Sequence, residues 1–441
     1  MTWRTLPPVE RRRILLIGDG DIANETAEAL EGAGATIARL DTPDVDEVRE
    51  ALAGAAVDTV AIVSRDDAFV LRAALVVRYV QDDVPMLVTL FDETMAAHVR
   101  AEIRECRVTS LADIVAPSLA GPCLAEDLVA IDPGHDPPVG LREDGDRAVR
   151  TPIDVPSRRR VRALAQALFQ PYDRSAGLLL FGALGIVGVL IVETIGGLVV
   201  LGQAPVDALY GAGKTVATVD PNQDVDDGPK WFKSFVTASM LVALVFEASF
   251  TAGLVNRLID RRLTGIVGRR AVPRRDHVVV VGLGQVGLRL CTLLRRCGIG
   301  VVAIDDREEG ENVGMARELG LPVVIGRGAD LSILRRLSLG RAVALAAVTD
   351  DDLENITIAM AARTIAPELR VVLRAGDGRL ANETRSLFRI GLVRDVHRIA
   401  AVLLAAQATG SPARSVVCKG DDAHLLHDDG TLEPAPMRAA A

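Results

Sequence analysis

The sequence predicts an α/β protein with a membrane segment. Two Rossmann-like domains, each with a parallel, doubly wound sheet, flank an all-α module of two transmembrane helices. Three observations support this prediction. A glycine-rich turn follows an apolar strand near the amino terminus and again in the second half of the chain, and two long apolar runs lie between these turns. A length of 441 residues is enough for about three domains.

Composition argues against several kinds of site. The net charge of -9 argues against a nucleic-acid binder, which needs a basic surface to displace counterions from phosphates. The cysteines form no CxxC pair, so we expect reduced thiols rather than a zinc site or a disulfide framework. They are Cys106, Cys123, Cys291, Cys297 and Cys418. The first residues, MTWRTLPPVERRR, lack an apolar core, so we expect no cleavable signal peptide.

The second glycine-rich turn has the full pattern of a dinucleotide site. A strand of valines precedes Gly282, Gly284 and Gly287, a helix follows, and the next strand ends at Asp305. In this pattern the first glycine permits the turn, the second admits a pyrophosphate and the third allows close packing, while the carboxylate binds a ribose. A domain that keeps the turn but holds no ligand is the alternative interpretation.

The first turn repeats this plan near the amino terminus. The equivalent positions are held by Gly18, Gly20, Ala23 and Asp41. Downstream, residues 57–90 resemble residues 341–373, with Ser64 matching Thr349. The first copy is shorter between these landmarks, which predicts that it has lost a strand or a helix.

The two apolar runs, 177–202 and 234–255, each exceed the roughly 20 residues that cross a bilayer. Arginines precede the first run and follow the second, whereas the loop that connects the two runs is rich in aspartate. By the positive-inside rule the loop faces out, and both termini are cytoplasmic in a multi-pass plasma-membrane protein. The residues 204–219 could form a short helix and an extended stretch, which indicates a re-entrant loop in an oligomeric pore.

This loop resembles the pore of two-helix potassium channels. The sequence DALY at 207–210 is followed by TVATV at 215–219, as a pore helix is followed by a filter. Both filter glycines are absent, which predicts either a weakly selective pore or one that resembles the CASTOR/POLLUX channels and is permeable to calcium. The resemblance implies pore positions at Thr215, Thr218, Val219, Asp220, Pro221 and Asn222.

Each apolar run carries one carboxylate. Glu247 could ring an inner cavity or pair with another helix, and the sequence leaves both open. For Glu193 we favour a structural role, with Lys214 as a candidate partner.

The strands and helix around Thr349 and Asn355 resemble the amino-terminal lobe of the regulator-of-potassium-conductance (RCK, TrkA-N) domain. That family has Gly-Asp-Ala where this chain has Arg327 between two glycines, and an arginine favours a ligand with more phosphate. The resemblance implies NAD(H), with ATP or ADP as the alternative. Val70 replaces Asn355 in the first copy, so we expect the second copy to bind the ligand. The implied ligand-binding residues are Gly282, Gly284, Gln285, Val286, Gly287, Asp305, Asp306, Arg327, Thr349 and Asn355, with Gly18, Gly20, Ala23 and Asp41 as a weaker second set.

The predicted boundaries run in chain order. They are an amino-terminal tail (1–11), a first RCK-like domain (12–125), an extended linker (126–160), a membrane module (161–262), a second linker (263–275), a second RCK-like domain (276–407) and a carboxyl-terminal tail (408–441). Within the membrane module, helices 177–202 and 232–257 enclose the pore loop 204–228. We expect the tail to be disordered or to form a short strand. Its two histidines are more simply solvated side chains than metal ligands.

Three functions fit this organisation. The first is a homotetrameric, nucleotide-gated cation channel, with potassium as the expected ion. The second is a membrane-tethered nucleotide sensor that regulates a separate transporter. The third, a nicotinamide-dependent oxidoreductase, has the least support because no substrate domain and no proton-transfer group accompany the turns. We therefore expect a channel and not an enzyme.

Overall fold

The structure is a computed structural model that describes residues 12–54, 56–153, 174–217, 225, 228–259, 273, 275–376, 391–420 and 422–435. The chain divides into two compact units. An α/β unit contains residues 1–157 and 273–441, and a helical unit contains residues 158–272. We call the parts of the α/β unit before and after the helical unit the first domain and the second domain.

The first domain is built on a five-stranded parallel sheet. Its strands and helices are β1 (Arg13–Ile17), α1 (Gly20–Gly32), β2 (Thr36–Leu40), α2 (Val45–Gly54), β3 (Thr59–Ile62), α3 (Asp67–Val80), β4 (Met86–Thr89), α4 (Glu93–Glu102), β5 (Cys106–Thr109) and α5 (Leu111–Leu124). The strand order is β2-β1-β3-β4-β5, so the order reverses at β1. Ligands of open parallel sheets bind beyond the carboxyl ends of the strands at such a reversal.

In the α/β unit, three further strands follow α5. They are β6 (Leu128–Asp132), β7 (Val139–Asp144) and β8 (Arg147–Thr151), and they form an antiparallel sheet. The helical unit then contributes α6 (Arg174–Val200), α7 (Pro205–Val216) and α8 (Lys230–Ile259).

The second domain is built on a six-stranded parallel sheet of order β11-β10-β9-β12-β13-β14, which reverses at β9. Its elements are β9 (His277–Val281), α9 (Gln285–Arg296), β10 (Gly300–Asp305), α10 (Glu311–Glu318), β11 (Val323–Ile325), α11 (Leu331–Arg336), β12 (Ala344–Ala347), α12 (Asp352–Ile365), β13 (Arg370–Ala375), β14 (Leu392–Asp395) and α13 (Val396–Ala408). Three antiparallel strands complete it, and these are β15 (Ser415–Lys419), β16 (Asp422–Leu426) and β17 (Leu432–Pro434).

The two domains share one plan, and the first is the shorter. Its sheet has no counterpart of β11, and no helix of the described chain matches α11. This accounts for the shorter spacing in the sequence. A strand and a helix are both missing from the first domain.

The two small sheets correct the expectations for the linker 126–160 and the tail 408–441. We expected the linker to be an extended connection and the tail to be disordered or to form one short strand. Instead, residues 128–151 of the linker form three paired strands, and so do residues 415–434 of the tail. The two sheets bury Leu141, Val417 and Leu426 against each other. Short, polar sequences form these strands because each sheet supplies the apolar face that the other needs.

Asp132 fastens the two small sheets together. Its side chain is 4% exposed and accepts hydrogen bonds from Arg150 at 3.1 Å and from Arg414 at 2.6 Å. Burial opposes the charge of this carboxylate, but the hydrogen bond from the Gly134 amide and the two arginines hold its pKa below the ordinary value.

The two domains of the α/β unit also share a core. α1 packs against α13, and α5 packs against both α9 and α13. Most of α5 is buried, including Pro117 and Pro122 within the helix. One continuous cluster of buried side chains includes Leu119 of the first domain and Leu290 and Leu404 of the second. The glycine-rich turns, which lead into α1 and α9, therefore lie beside this interface.

In the helical unit, α6 and α8 contain spans that are long and apolar enough to cross a membrane, Gly177–Val200 with 24 residues and Lys230–Val255 with 26. Glycines allow the two helices to approach closely. A Cβ atom on Gly182 would lie 2.5 Å from the backbone nitrogen of Phe250, and one on Gly185 would lie 2.1 Å from the Phe246 ring. α7 packs against both helices.

Glu193 of α6 is only 6% exposed. Among the described residues, its Oε1 atom has no hydrogen-bond partner. Lys214, which the sequence offered as a partner, lies with its Nζ atom 5.1 Å from the centre of the Tyr210 ring.

Candidate functional site

The turn between β9 and α9 has the geometry of a nucleotide-binding loop. Gly282 has a φ of +97°, and a Cβ atom there would lie 2.8 Å from the Thr349 backbone nitrogen. A Cβ atom on Gly287 would lie 1.9 Å from the Gly282 carbonyl oxygen. In contrast, Gly284 has nothing within 4 Å of its Cβ position. Each glycine thus has the environment that its place in the pattern requires, and the open side at Gly284 is where a phosphate could approach α9.

Asp305, at the end of β10, holds this turn in place. Its carboxylate accepts the backbone N–H groups of Leu283 at 2.7 Å and of Arg307 at 2.9 Å. The residue is 6% exposed, whereas the next residue, Asp306, is exposed. Asp305 therefore orders the loop, whereas the exposed Asp306 carboxylate lies 3.9 Å from the Arg307 guanidinium.

Asn355 lies in the first turn of α12 and is completely buried. Its Oδ1 atom accepts the Thr349 N–H group at 2.9 Å, and its Nδ2 atom donates to the carbonyl oxygens of Thr349 at 3.1 Å and Arg374 at 3.2 Å. These bonds join the ends of β12 and β13. The structure thus places Asn355 behind the ligand surface, where it positions Thr349.

In the first domain a different residue hydrogen-bonds the backbone at the equivalent place. Val70 is buried at the position of Asn355, and the Ser64 N–H group is accepted by the Thr89 hydroxyl at 3.0 Å. Thr89 Oγ1 in turn donates to the Ser64 carbonyl oxygen at 2.8 Å. The loss of the asparagine is therefore compensated within the sheet, a contact that the sequence pattern did not reveal.

Arg327 lies in the loop after β11 and is exposed. The glycines on either side fix this loop. Gly326 has a φ of +152°, and a Cβ atom on Gly328 would lie 2.2 Å from the Val281 side chain. Arg327 is therefore an exposed side chain in a loop that close packing of its flanking glycines holds in place.

A cavity of about 260 Å³ opens beside the turn of the second domain. Its wall includes Gly284, Gln285 and Val286, together with Arg307. The first domain completes it with Ile22, Arg65, Leu111, Ala112 and Val115. Sequence reasoning missed this contribution, because it treated each copy as a separate site.

Arginines surround the polar end of this cavity. Arg374 is 5% exposed and binds Asp350 at 2.6 Å, and the Arg65 guanidinium lies 3.6 Å from the same carboxylate. The Asp350 carboxylate is partly buried, yet these arginines hold its pKa below the ordinary value. With Arg307 also present, cations outnumber anions at the cavity, and this charge balance suits a phosphate-bearing ligand.

His397 of α13 bridges the domains at the cavity. Its Nδ1 atom is 2.7 Å from the Gly376 carbonyl oxygen, and its Nε2 atom contacts the Arg65 guanidinium. Arg65 can only donate, so the imidazole is neutral and donates through Nδ1. Burial lowers the pKa of His397 from its ordinary value, and Arg65 and Arg374 lower it further, against the weaker opposing effects of Gly376 and Asp21.

This lowered pKa predicts a pH dependence of stability. The unfolded chain binds a proton on this histidine near pH 6.5 and the folded chain binds it only at lower pH, so acid favours unfolding. We expect the contribution of His397 to be complete above about pH 6.5 and to be lost as the pH falls below it. The thermal midpoint should fall further between pH 7.5 and 5.5 for the wild type than for His397→Gln. Parallel curves for the two proteins would contradict the assignment.

The turn of the first domain has the opposite charge. Gly18 and Gly20 both have positive φ values, whereas in the second domain Gly282 does and Gly284 does not, and Ala23 is buried like Gly287. However, Asp19, Asp21 and Glu25 line the cavity of about 820 Å³ that opens there. Acidic side chains at the start of α1 repel phosphate. Asp41, the expected ribose ligand, pairs instead with Arg39 at 3.1 Å.

Part of the predicted pore lies within the described chain. Thr215 of α7 is 3% exposed, and its hydroxyl donates to the Gly211 carbonyl oxygen at 3.3 Å. Glu247 of α8 is half-buried. The remaining predicted pore positions, Thr218, Val219, Asp220, Pro221 and Asn222, lie outside the described residues.

The sequence of the second domain resembles a known domain family. Residues 278–390 match the TrkA-N domain model. This stretch is therefore similar to TrkA-N domains. The matched stretch begins in β9 and includes the glycine turn, Asp305, Arg327, Thr349 and Asn355. The Rossmann-like fold predicted for this part of the chain is therefore confirmed.

Two potassium channels are among the curated proteins that the chain resembles. The chain is 24% identical over 221 residues to the voltage-gated potassium channel Kch of Escherichia coli, which covers 49% of this chain and 50% of Kch. It is 25% identical over 100 residues to potassium channel protein 1 of Methanocaldococcus jannaschii, which covers 23% of this chain and 30% of the relative. The chain thus spans half or less of the length of these relatives. The predicted likeness to RCK-containing potassium channels is confirmed.

Among solved structures, the GsuK channel is similar with a TM-score of 0.49 and 17% identity, covering 91% of this chain and 64% of that one. The GsuK channel bound to NAD has a TM-score of 0.48 and 17% identity, with the same coverage.

The cavity extends beyond the stretch that matches the TrkA-N model. The match ends at residue 390, before β14, whereas His397 lies in α13 and Arg65 lies in the first domain. The surroundings of the TrkA-N turn are therefore completed by parts of the chain that the family model does not include.

Proposed function

We propose that this chain is a subunit of a nucleotide-regulated channel for monovalent cations, with potassium as the expected ion. The observation that carries the proposal is α7, a short helix that packs against two helices of membrane-spanning length. A short helix before a loop, held between two spans, is the arrangement expected for a re-entrant pore segment. The chain that contains it also contains a TrkA-N domain.

The helices α6 and α8 expose many apolar side chains, among them Phe181, Ile191, Leu244 and Val245. Such faces suit lipid and neighbouring subunits. The arginine-rich flanks and the aspartate-rich loop favour cytoplasmic termini by the positive-inside rule. A pore of this kind requires several hairpins around one axis, and we propose four.

The ligand of the second domain is, in our proposal, an adenine nucleotide. The phosphates would lie at the amino end of α9 beside Gly284, and Asp306 would meet the ribose. The full Rossmann pattern favours NAD(H). ADP or ATP is the alternative, because Arg65, Arg307 and Arg374 line the cavity against the single carboxylate of Asp350 and suit a ligand with more phosphate.

We expect purified protein in liposomes to conduct cations and to respond to nucleotide. Flux of potassium, sodium and calcium should be measured with and without NAD(H) and ADP, beside Gly284→Val as the matched control. A response in the wild type that the variant lacks supports the proposal. If no cation passes while nucleotide still binds, the chain is a membrane-tethered sensor, the function that the missing filter glycines favour.

A further inference from the structure

The two domains are related by an approximate two-fold axis through the cavity. The cavity wall includes Ile22, Leu111, Ala112 and Val115 of the first domain and Val286, Val396, His397 and Ala400 of the second. These are equivalent residues, because each set occupies the same places in the turn-to-helix unit (α1 or α9) and in the last long helix (α5 or α13). The packing of α1 on α13 and of α9 on α5 follows the same symmetry.

Charged residues break this symmetry in a regular way. Asp66 and Asp351 each cap the helix that follows, so Arg65 and Asp350 are equivalent. Arg65 Nη1 nevertheless lies 3.6 Å from Asp350 Oδ1. Equivalent residues that meet in this way lie at the symmetry axis. In a pair of identical domains the same place would hold two arginines or two aspartates.

The helix interface shows the same inversion. Arg289 of α9 binds Asp113 of α5, with 3.1 Å between Nε and Oδ1, and its side chain is 20% exposed. Counting from the glycine turns, Arg289 is equivalent to Glu25 of α1. Counting from the helix starts, Asp113 is equivalent to Arg398 of α13. Both members of the contact therefore have the opposite charge in the other domain.

We propose that these inverted charges are a pairing code, by which each domain's interface accepts the other domain and rejects a second copy of itself. In the structure Arg289 meets Asp113, and Glu25 and Arg398 hold the equivalent places on the packed helices α1 and α13. Two first domains would bring Glu25 against Asp113, and two second domains would bring Arg289 against Arg398. Like charges placed face to face in a partly buried interface oppose association.

The code has a consequence for assembly. In a complex of several chains, every second domain would be paired with a first domain, in its own chain or in a neighbour. Each pair would then contain one phosphate-compatible turn and one acidic turn.

The test uses the full chain in detergent, with hydrogen exchange of α5 amides as the measurement. Glu25→Arg with Asp113→Arg gives the first domain the charges of the second. We expect the α5 amides to exchange hydrogen at least about 10-fold faster in this variant. The charge-assisted contact of Asp113 with Arg289 is lost, and repulsion between arginines replaces it. Adding Arg289→Glu and Arg398→Asp exchanges the charges between the domains and should restore most of the protection.

Asp46→Arg with Glu50→Arg is the control for the change in net charge, because α2 exposes both residues away from the second domain. It should leave α5 protection unchanged. Asp113→Asn is a milder variant that should show a smaller increase in exchange if the double variant fails to fold. Protection of α5 at the wild-type level in both Asp113 variants would overturn the proposal. So would a four-residue exchange that restores nothing.

Discussion

Replacing Gly284 with valine is expected to weaken nucleotide binding about 100-fold or more while the protein stays folded. The backbone at Gly284 has a φ of -67° and a ψ of -175°, which any residue adopts, and no atom lies within 4 Å of its Cβ position. The valine side chain would instead occupy the open space through which a phosphate reaches α9. A loss of this size corresponds to about 2.7 kcal/mol of binding free energy. Calorimetry on wild type and variant measures it.

Gly287→Ala is the informative counterpart. Its Cβ atom would lie 1.9 Å from the Gly282 carbonyl oxygen, so the helix must shift, and we expect the free energy of unfolding to fall by about 1–3 kcal/mol. The thermal midpoint should therefore drop for Gly287→Ala and change little for Gly284→Val. Full affinity in a folded Gly284→Val protein would show that the ligand binds elsewhere.

The second large effect is expected in the helical unit. Gly182→Leu should disrupt the contact between α6 and α8, because its Cβ position lies 2.5 Å from the Phe250 nitrogen and 2.6 Å from the Phe246 carbonyl oxygen. Those atoms belong to a helix backbone and cannot move aside. Close approach through small residues is the main attraction between helices in a membrane. We expect loss of the native oligomer in detergent chromatography and loss of ion flux.

Gly188→Leu is the matched control in the same helix, since nothing lies within 4 Å of its Cβ position. Both substitutions add the same side chain to an apolar segment, so insertion into the membrane should be equal. The oligomer and the flux should survive in Gly188→Leu. Equal loss in both variants would mean that bulk alone, rather than the contact with α8, is responsible.

The sequence was sufficient to predict the glycine turns, because a turn and its neighbouring strands are local and each glycine has a separate steric reason. Gly282, Gly284 and Gly287 occupy the environments that their spacing implied. The same reasoning predicted that the first domain had lost an element. It also led us to expect a ligand contact at Asn355, which in the structure is bonded to the Thr349 and Arg374 backbones.

The residues that sequence reasoning missed act across the domain interface. Arg65 and His397 meet at the cavity although they are far apart in the chain, and no local pattern connects them. The small sheets were missed for a related reason. Strands such as β7 and β16 are short and polar, and they are stable only because the two sheets cover each other. A signal was available in the positions of both segments, which follow the equivalent helices α5 and α13.

The burial of α5 has a consequence for biosynthesis. This helix has almost no polar face, and much of the surface that covers it belongs to α9, α13 and strands of the second domain. A ribosome releases α5 long before it has made α13, and at roughly 5–20 residues per second the interval is tens of seconds. During that time the apolar helix is exposed while the two membrane spans are being made. The first half of the nascent chain therefore needs a chaperone, or an early membrane surface, until its other half arrives.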